Sequence, residues 1–217
     1  MHSYPDPAVG RAATAYQRIF LVRHGETDPN AQGIVQGGGI DADLNANGHE
    51  QAEQLYQAYG RETFVAVVGS GLRRTHQTLA PFVRAGHALV THPGLNEMSW
   101  GVLEGAATDE RVRAYYRDIN DRWAAGELDA RIEGGESPLE VAQRAQAALR
   151  ELLLQYPTGD LFIVSHGRLL RILLAELLGY GLQRMHWFGH KNTGVNLLLR
   201  ARDRFVALKL NDTLHLN

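Results

Sequence analysis

The chain has 217 residues, with 22 Lys and Arg against 24 Asp and Glu for a net charge of −2, and 44% hydrophobic residues. A near-neutral chain of this length can bury a single sizeable core without staples, and its charge argues against a generic polyanion or membrane-surface binder. It holds no cysteine, which excludes disulfides, thiol nucleophiles, thiolate zinc sites and iron–sulfur clusters; its ten histidines are numerous for its size.

Residues 1–18 carry two prolines and mixed charges without an apolar stretch, so they read as an N-terminal extension rather than a secretory signal. The longest unbroken apolar run, Phe64 to Val68, is far short of the ~20 residues that span a bilayer, and a cytoplasmic address is the default expectation. Nothing after residue 18 marks a second domain, so 19–217 is expected to be one catalytic domain. Short runs rich in β-branched and aromatic residues predict strands at Ile19–Val22, Phe64–Val68, Leu161–Val164, Val195–Leu199 and Phe205–Leu208, with a weaker candidate at His87–His92. Helical patterns lie between them, at about Ala46–Tyr59, Arg73–Ala85, Asp109–Ala124, Pro138–Tyr156 and Leu169–Leu178. Ser137 is placed to cap the fourth of these, with Pro138 at its first position. The alternation predicts a three-layer α/β/α sandwich with a mainly parallel sheet, helices on both faces and a short helical lid at about 98–135.

Ligands of such folds gather at the carboxyl ends of the strands. The first strand runs into Arg23-His24-Gly25-Glu26-Thr27, and the strand at 161–164 runs into Ser165-His166-Gly167. The same construction, an apolar strand and then His-Gly, occurs twice, and glycine permits a sharp exit that leaves each imidazole at the sheet's mouth. The strand at 64–68 leads into Gly69-Ser70-Gly71-Leu72-Arg73-Arg74, where Ser70 is expected to cap a helix bearing two arginines. A loop from Leu95 to Gly105 adds the carboxylates of Glu97 and Glu104.

Two histidines, arginines and a carboxylate on one rim suit phosphoryl transfer. Guanidinium groups grip phosphate oxygens in a fork and stay charged. A neutral imidazole can attack phosphorus, kept unprotonated by neighbouring arginine charge. A carboxyl group can protonate the leaving alkoxide and then activate water.

These residues resemble the signature of the histidine phosphatase superfamily, the group that includes cofactor-dependent phosphoglycerate mutases. Leu21-Val-Arg-His-Gly-Glu-Thr27 is similar to its first motif, Ser70-Gly-Leu-Arg-Arg74-Thr-His-Gln77-Thr78 to its second, and Val164-Ser-His166-Gly to its last. Leu95-Asn-Glu97 and Gly135-Glu136-Ser137 resemble its acid loop and helix opener, with matches running in order from 19 to about 211. The resemblance implies His24 as nucleophile and Glu97 as proton donor. It implies a phosphate pocket of Arg23, Arg74 (rather than Arg73), His166, Asn30 and the backbone of Gly167, with Gln36, Gly37 and Glu136 near the substrate. Position 71 is Gly where many members carry Asp, which touches no proposed catalytic group.

Blander readings compete. Each histidine could be a core residue, Arg23 could pair with Glu26, and Glu97 competes with Glu104 and Glu26 as the acid. The other eight histidines show no HxH or HExxH spacing, so neither a metal nor another cofactor is expected. Aromatics such as Tyr115, Tyr116, Trp123 and Trp187 lack the basic stripe of a nucleic-acid platform. The arginines between Arg111 and Arg122 read as a solvated helix face that could touch a substrate's anionic tail.

Three functions remain: a phosphomonoesterase of the histidine acid phosphatase type acting on a small phosphorylated metabolite, a cofactor-dependent phosphoglycerate mutase, and an idle phosphate-binding domain. Only 38 residues separate Glu97 from Gly135, which resembles the compact phosphatase branch; mutases of the family carry a longer insertion with paired arginines and tyrosine there. A short lid lets water reach a phosphohistidine, which favours hydrolysis. Neither nucleic acid nor membrane is an expected partner, and the oligomeric state is open, with a homodimer among the options.

Overall fold

The computed structural model describes residues 16–216, so most of the N-terminal extension, with His2, lies outside the described residues. Strand β1 (Gln17–Arg23) begins two residues before the predicted start and takes Gln17 and Arg18 into the sheet. A short helix α1 (Asp28–Ala31), α2 (Ala46–Tyr59), β2 (Phe64–Gly69), α3 (Arg73–Arg84) and β3 (Leu89–Thr91) follow, and then the acid loop with two 3-10 turns. The rest is α4 (Glu110–Ala125), α5 (Pro138–Gln155), β4 (Asp160–Ser165), α6 (Gly167–Leu177), a 3-10 segment at Leu182–Trp187, β5 (Val195–Ala201) and β6 (Arg204–Asp212).

The six strands form one sheet in the order β3-β2-β4-β1-β5-β6. The pairs β3–β2, β2–β4 and β4–β1 are parallel, while β5 and β6 join antiparallel at one edge. The sheet is thus parallel only where helices cross over, and its last two strands form a hairpin that needs no crossover.

Alternation along the central strands sorts the core into two layers. Ile19, Leu21, Leu161 and Ile163 face the α5–α6 side, where they join Val141, Leu149, Leu169 and Leu173. Phe20, Val22, Phe162 and Val164 face the other side and pack with Leu55, Leu79 and Phe82 of α2 and α3. The lid helix α4 is amphipathic: Val112, Ile119 and Trp123 are buried, whereas Arg113, Arg117 and Arg122 stand exposed and pair with Glu110 and Glu127. These arginines are therefore committed to the lid's own outer face rather than turned inward toward a substrate. α5 opens as expected, with a capping box between Ser137 and Glu140 and Pro138 in the first turn.

One helix start differs from expectation. The N-cap of α3 is Leu72, which gives no side-chain cap. Ser70 lies two residues before that cap, too early to reach the helix's inner N–H groups; its Oγ accepts the Leu72 N–H at 3.1 Å and bonds His166 instead.

The segment after His24 is held by a close glycine crossing. A Cβ on Gly48 would stand 2.1 Å from the Glu26 carbonyl oxygen, and one on Gly25 would stand 2.6 Å from the Gly48 carbonyl oxygen. Gly48→Ala is therefore expected to cost about 1–3 kcal/mol of stability by forcing the loop away from α2, read as a lower urea midpoint at unchanged m-value. A midpoint equal to wild type would show that the crossing yields without strain.

Candidate active site

Parallel pairing of β1 with β4 sets Arg23 opposite Ser165, and the His24 N–H donates to the Ser165 carbonyl at 2.9 Å. The residues that follow each strand are His24 and His166, and their rings lie 5.2 Å apart between centroids. Both are buried, at 3% and 0% exposure. β2 ends beside β4, with Gly69 opposite Val164, so Ser70 arrives next to His166.

The tautomer of each imidazole follows from its partners. His24 Nδ1 lies 2.7 Å from the Gly25 carbonyl, an acceptor, so Nδ1 carries the proton and Nε2 keeps its lone pair. His166 Nδ1 faces Arg74 Nε at 3.1 Å, a pure donor, so Nδ1 accepts and Nε2–H donates to Ser70 Oγ at 2.8 Å. Burial, then the charges of Arg74 and Arg23, hold the His24 pKa well below the usual histidine range. His166 is lowered in the same direction, first by burial and then by Arg74.

Arg74 is fully buried, and burial pulls its pKa down to about 10. Besides His166, its Nη1 donates to the Ile40 carbonyl at 2.7 Å and its Nη2 to Gly37 at 3.3 Å, so it anchors the loop at 37–40 and retains two further N–H groups. Arg73 points away and pairs with Asp41 and Asp43 at the surface. Arg23 donates Nη1 to the His190 carbonyl at 3.0 Å, while its Nε is buried and has no partner among the described residues. Gly37 passes close to the acid loop: a Cβ there would stand 2.9 Å from the Met98 carbonyl oxygen and would displace the Glu104 carboxylate.

Glu97 is buried and its carboxylate is aimed by backbone. Oε1 accepts the Met98 and Leu169 N–H groups at 2.9 and 3.0 Å, and Oε2 accepts the Arg168 N–H at 3.1 Å. The acid loop is thereby tied to the first turn of α6, which begins at Gly167, directly after His166. Glu104 instead accepts the Trp100 N–H at 2.9 Å and lies against Gly37 and Gly39 of the loop at 37–40.

Asn30 and Gln36 form a pair, Asn30 Nδ2 to Gln36 Oε1 at 3.1 Å, and Gln36 Nε2 is buried without a partner among the described residues. Glu136 stands behind the acid loop rather than with these groups. Its carboxylate holds Arg144 through two bonds, at 2.7 and 2.8 Å, and accepts the Ser99 N–H at 2.9 Å. Arg144 in turn donates to the carbonyls of Gly94, Asn96 and Glu97, at 3.0, 2.7 and 3.2 Å.

Sequence reasoning missed several residues at this rim. Asn192 Nδ2 bridges the His24 carbonyl at 3.0 Å and Asn30 Oδ1 at 3.2 Å, and nothing in its neighbourhood signals this. Arg144 was hidden in an amphipathic helix. Arg168 and Arg171 had a signal, the helical i, i+3 spacing directly after His166-Gly167. Among the described residues, no cluster of three or more His, Asp or Glu side chains is arranged to hold a metal ion, and no helix is long and apolar enough to cross a membrane.

Residues 19–213 match the model of the histidine phosphatase superfamily, branch 1. Phosphoserine phosphatase 1 of Hydrogenobacter thermophilus is 30% identical over 200 residues, covering 92% of this chain and 94% of its own length. A protein of Yersinia enterocolitica named "Probable phosphoglycerate mutase GpmB" is 38% identical over 168 residues, 75% of each chain. The solved mycobacterial glucosyl-3-phosphoglycerate phosphatase in complex with VO3 superposes with a TM-score of 0.79 at 25% identity, over 90% of this chain and 99% of that one.

Burial keeps His24, His166, His186, His190 and His215 below the ordinary histidine pKa, His186 at about 4 and His190 at about 3. The unfolded chain takes up these protons near pH 6.5 and the folded chain does not, so stability is complete above that value and falls as pH drops below it. Urea midpoints at pH 7.0 and 5.0 measure the loss, and a midpoint that does not move would contradict it.

Proposed function

The chain belongs to the histidine phosphatase superfamily, branch 1, and on that premise we propose that it hydrolyses a phosphate monoester through a phosphohistidine on His24, with Glu97 moving the proton. The relatives, a phosphoserine phosphatase and a glucosyl-3-phosphoglycerate phosphatase among them, support a phosphatase of small metabolites. One observation carries the mechanism: the Nδ1–H of His24 is spent on the Gly25 carbonyl, leaving Nε2 an unprotonated nucleophile beside the guanidinium groups of Arg74 and Arg23.

Arg23 and Arg74 hold the phosphoryl oxygens, His166 aims Arg74 through its Nδ1 while its own N–H is taken by Ser70, and Arg23 Nε and Gln36 Nε2 supply donors that nothing else in the described residues uses. His24 Nε2 attacks phosphorus as the P–O ester bond breaks, and the leaving alkoxide takes a proton from the Glu97 carboxyl. Water then attacks the P–N bond and gives its proton to Glu97, releasing phosphate and restoring Nε2. The negative charge that spreads over the equatorial oxygens meets donors already fixed in place, which is where most of the barrier is lowered.

Similarity to proteins named as phosphoglycerate mutases makes transfer to a second hydroxyl the alternative. The lid lends that transfer no support from Arg113, Arg117 and Arg122, which stand exposed and pair with Glu110 and Glu127.

Quenching in alkaline detergent after reaction with 32P-labelled ester is expected to trap acid-labile, base-stable label on wild type and none on His24→Ala; label on the variant would exclude this nucleophile. Glu97→Gln is expected to slow esters of poorly acidic alcohols by about 10²–10⁴-fold while sparing p-nitrophenyl phosphate more. Arg144→Met should reproduce that leaving-group dependence at about 10²-fold or less, because it displaces Glu97 without touching phosphate. An equal loss on both kinds of ester would assign Arg144 to folding alone.

A further inference from the structure

The phosphate cradle leaves positive charge unused beside it. Arg168 and Arg171 occupy one face of α6, three residues apart, in the first turns after His166. Neither forms an ion pair with a carboxylate among the described residues, and Arg171 makes no side-chain hydrogen bond to them either. The carboxylate whose charge acts on both is that of Glu97, and its oxygens are already taken by three backbone N–H groups. Arg168 is fixed by its surroundings: its guanidinium lies 5.1 Å from the Trp100 ring and 5.4 Å from Trp123, and its Nη1 is 3.3 Å from His186 Nδ1.

Two imidazoles beside these arginines repeat one arrangement. His186 Nδ1 accepts from Arg168, and His190 Nδ1 accepts from Asn196 Nδ2 at 3.4 Å. Each ring, being neutral, therefore carries its proton on Nε2, and both Nε2 atoms are buried with no partner among the described residues. An N–H donor buried without an acceptor is costly and rare in a folded chain. After burial, the charge of Arg171, one turn on from Arg168 in α6, contributes to lowering the pKa of both histidines and of Arg23. His190 is itself joined to the phosphate site, since its carbonyl accepts Arg23 Nη1.

We infer that Arg171, Arg168 and the Nε2–H groups of His186 and His190 form a second anion subsite, which selects phosphate esters carrying a further carboxylate or phosphate on the alcohol. Resting on the phosphatase reading, the subsite narrows it to doubly anionic substrates. An anionic tail accepts the two orphaned N–H bonds and balances guanidinium charge that the ester phosphate leaves over. A neutral tail does neither, and a site built for charge discriminates strongly against it.

The test compares matched pairs of esters by kcat/KM. 3-Phosphoglycerate against glycerol 3-phosphate varies only a carboxylate, and propane-1,3-diol bisphosphate against its monophosphate varies only a second phosphate. Wild type is expected to prefer the doubly anionic member of at least one pair by about tenfold or more, and the pair that responds identifies the group. Arg171→Met should collapse that ratio, and Arg171→Lys should restore part of it. Ratios near one in both pairs for wild type overturn the inference whether or not any variant folds, as does a ratio that survives Arg171→Met. Failure of the phosphatase reading is seen separately, as absence of the trapped phosphohistidine.

Discussion

Everything at this site hangs on the parallel pairing of β1 with β4. Hydrogen bonds in register set Arg23 opposite Ser165, and that register delivers two imidazoles from residues 142 positions apart to a ring separation of 5.2 Å. A slip of one residue would turn Ile19 and Leu21 toward the α2–α3 layer and Phe20 and Val22 toward α5 and α6. The two-layer core therefore enforces the register, and the register positions the histidines. β2 adds Ser70 at the next strand end by the same logic, so the sheet fixes three contributions to the rim before any loop is considered.

Burial and cationic neighbours act together on those histidines. An imidazolium beside Arg23 and Arg74, shut away from water, is disfavoured twice over, and the neutral ring is the form that can attack phosphorus. The arginines suffer the same pressure, since desolvation lowers their pKa too, yet guanidinium is basic enough that they stay charged at neutral pH. The site is a region where positive charge is retained and histidine charge is suppressed, a field suited to an anion that arrives with its own negative charge.

Much of this architecture was legible in the sequence. Alternating Ile19-Phe-Leu-Val22 and Leu161-Phe-Ile-Val164 gave away buried strands, and the repeated His-Gly exit marked their ends. Helix bounds followed from apolar period and from Ser137-Pro138, because those signals are local. What escaped was long-range and aperiodic. Ser70 reads as a cap in any window of ten residues, and only the arrival of His166 from 96 residues away gives its hydroxyl a different partner. Asn192 and Arg144 are ordinary polar residues whose importance lies in which carbonyls they meet, and no spacing rule records that. Tautomers of His24 and His166 were likewise out of reach, since they depend on donors brought in by the fold.

The bonds from Glu97 to the N–H groups of Arg168 and Leu169 have a consequence for how such a protein can change. One helical turn supports the carboxylate proposed to carry the proton and also bears Arg168 and Arg171, the arginines of the proposed anion subsite. Drift in that turn alters chemistry and selectivity together, so it is a poor place for gradual diversification. The outer surface of α4 carries no such double duty. New substrate ranges in descendants of this sequence can accumulate there while the reacting centre is inherited intact.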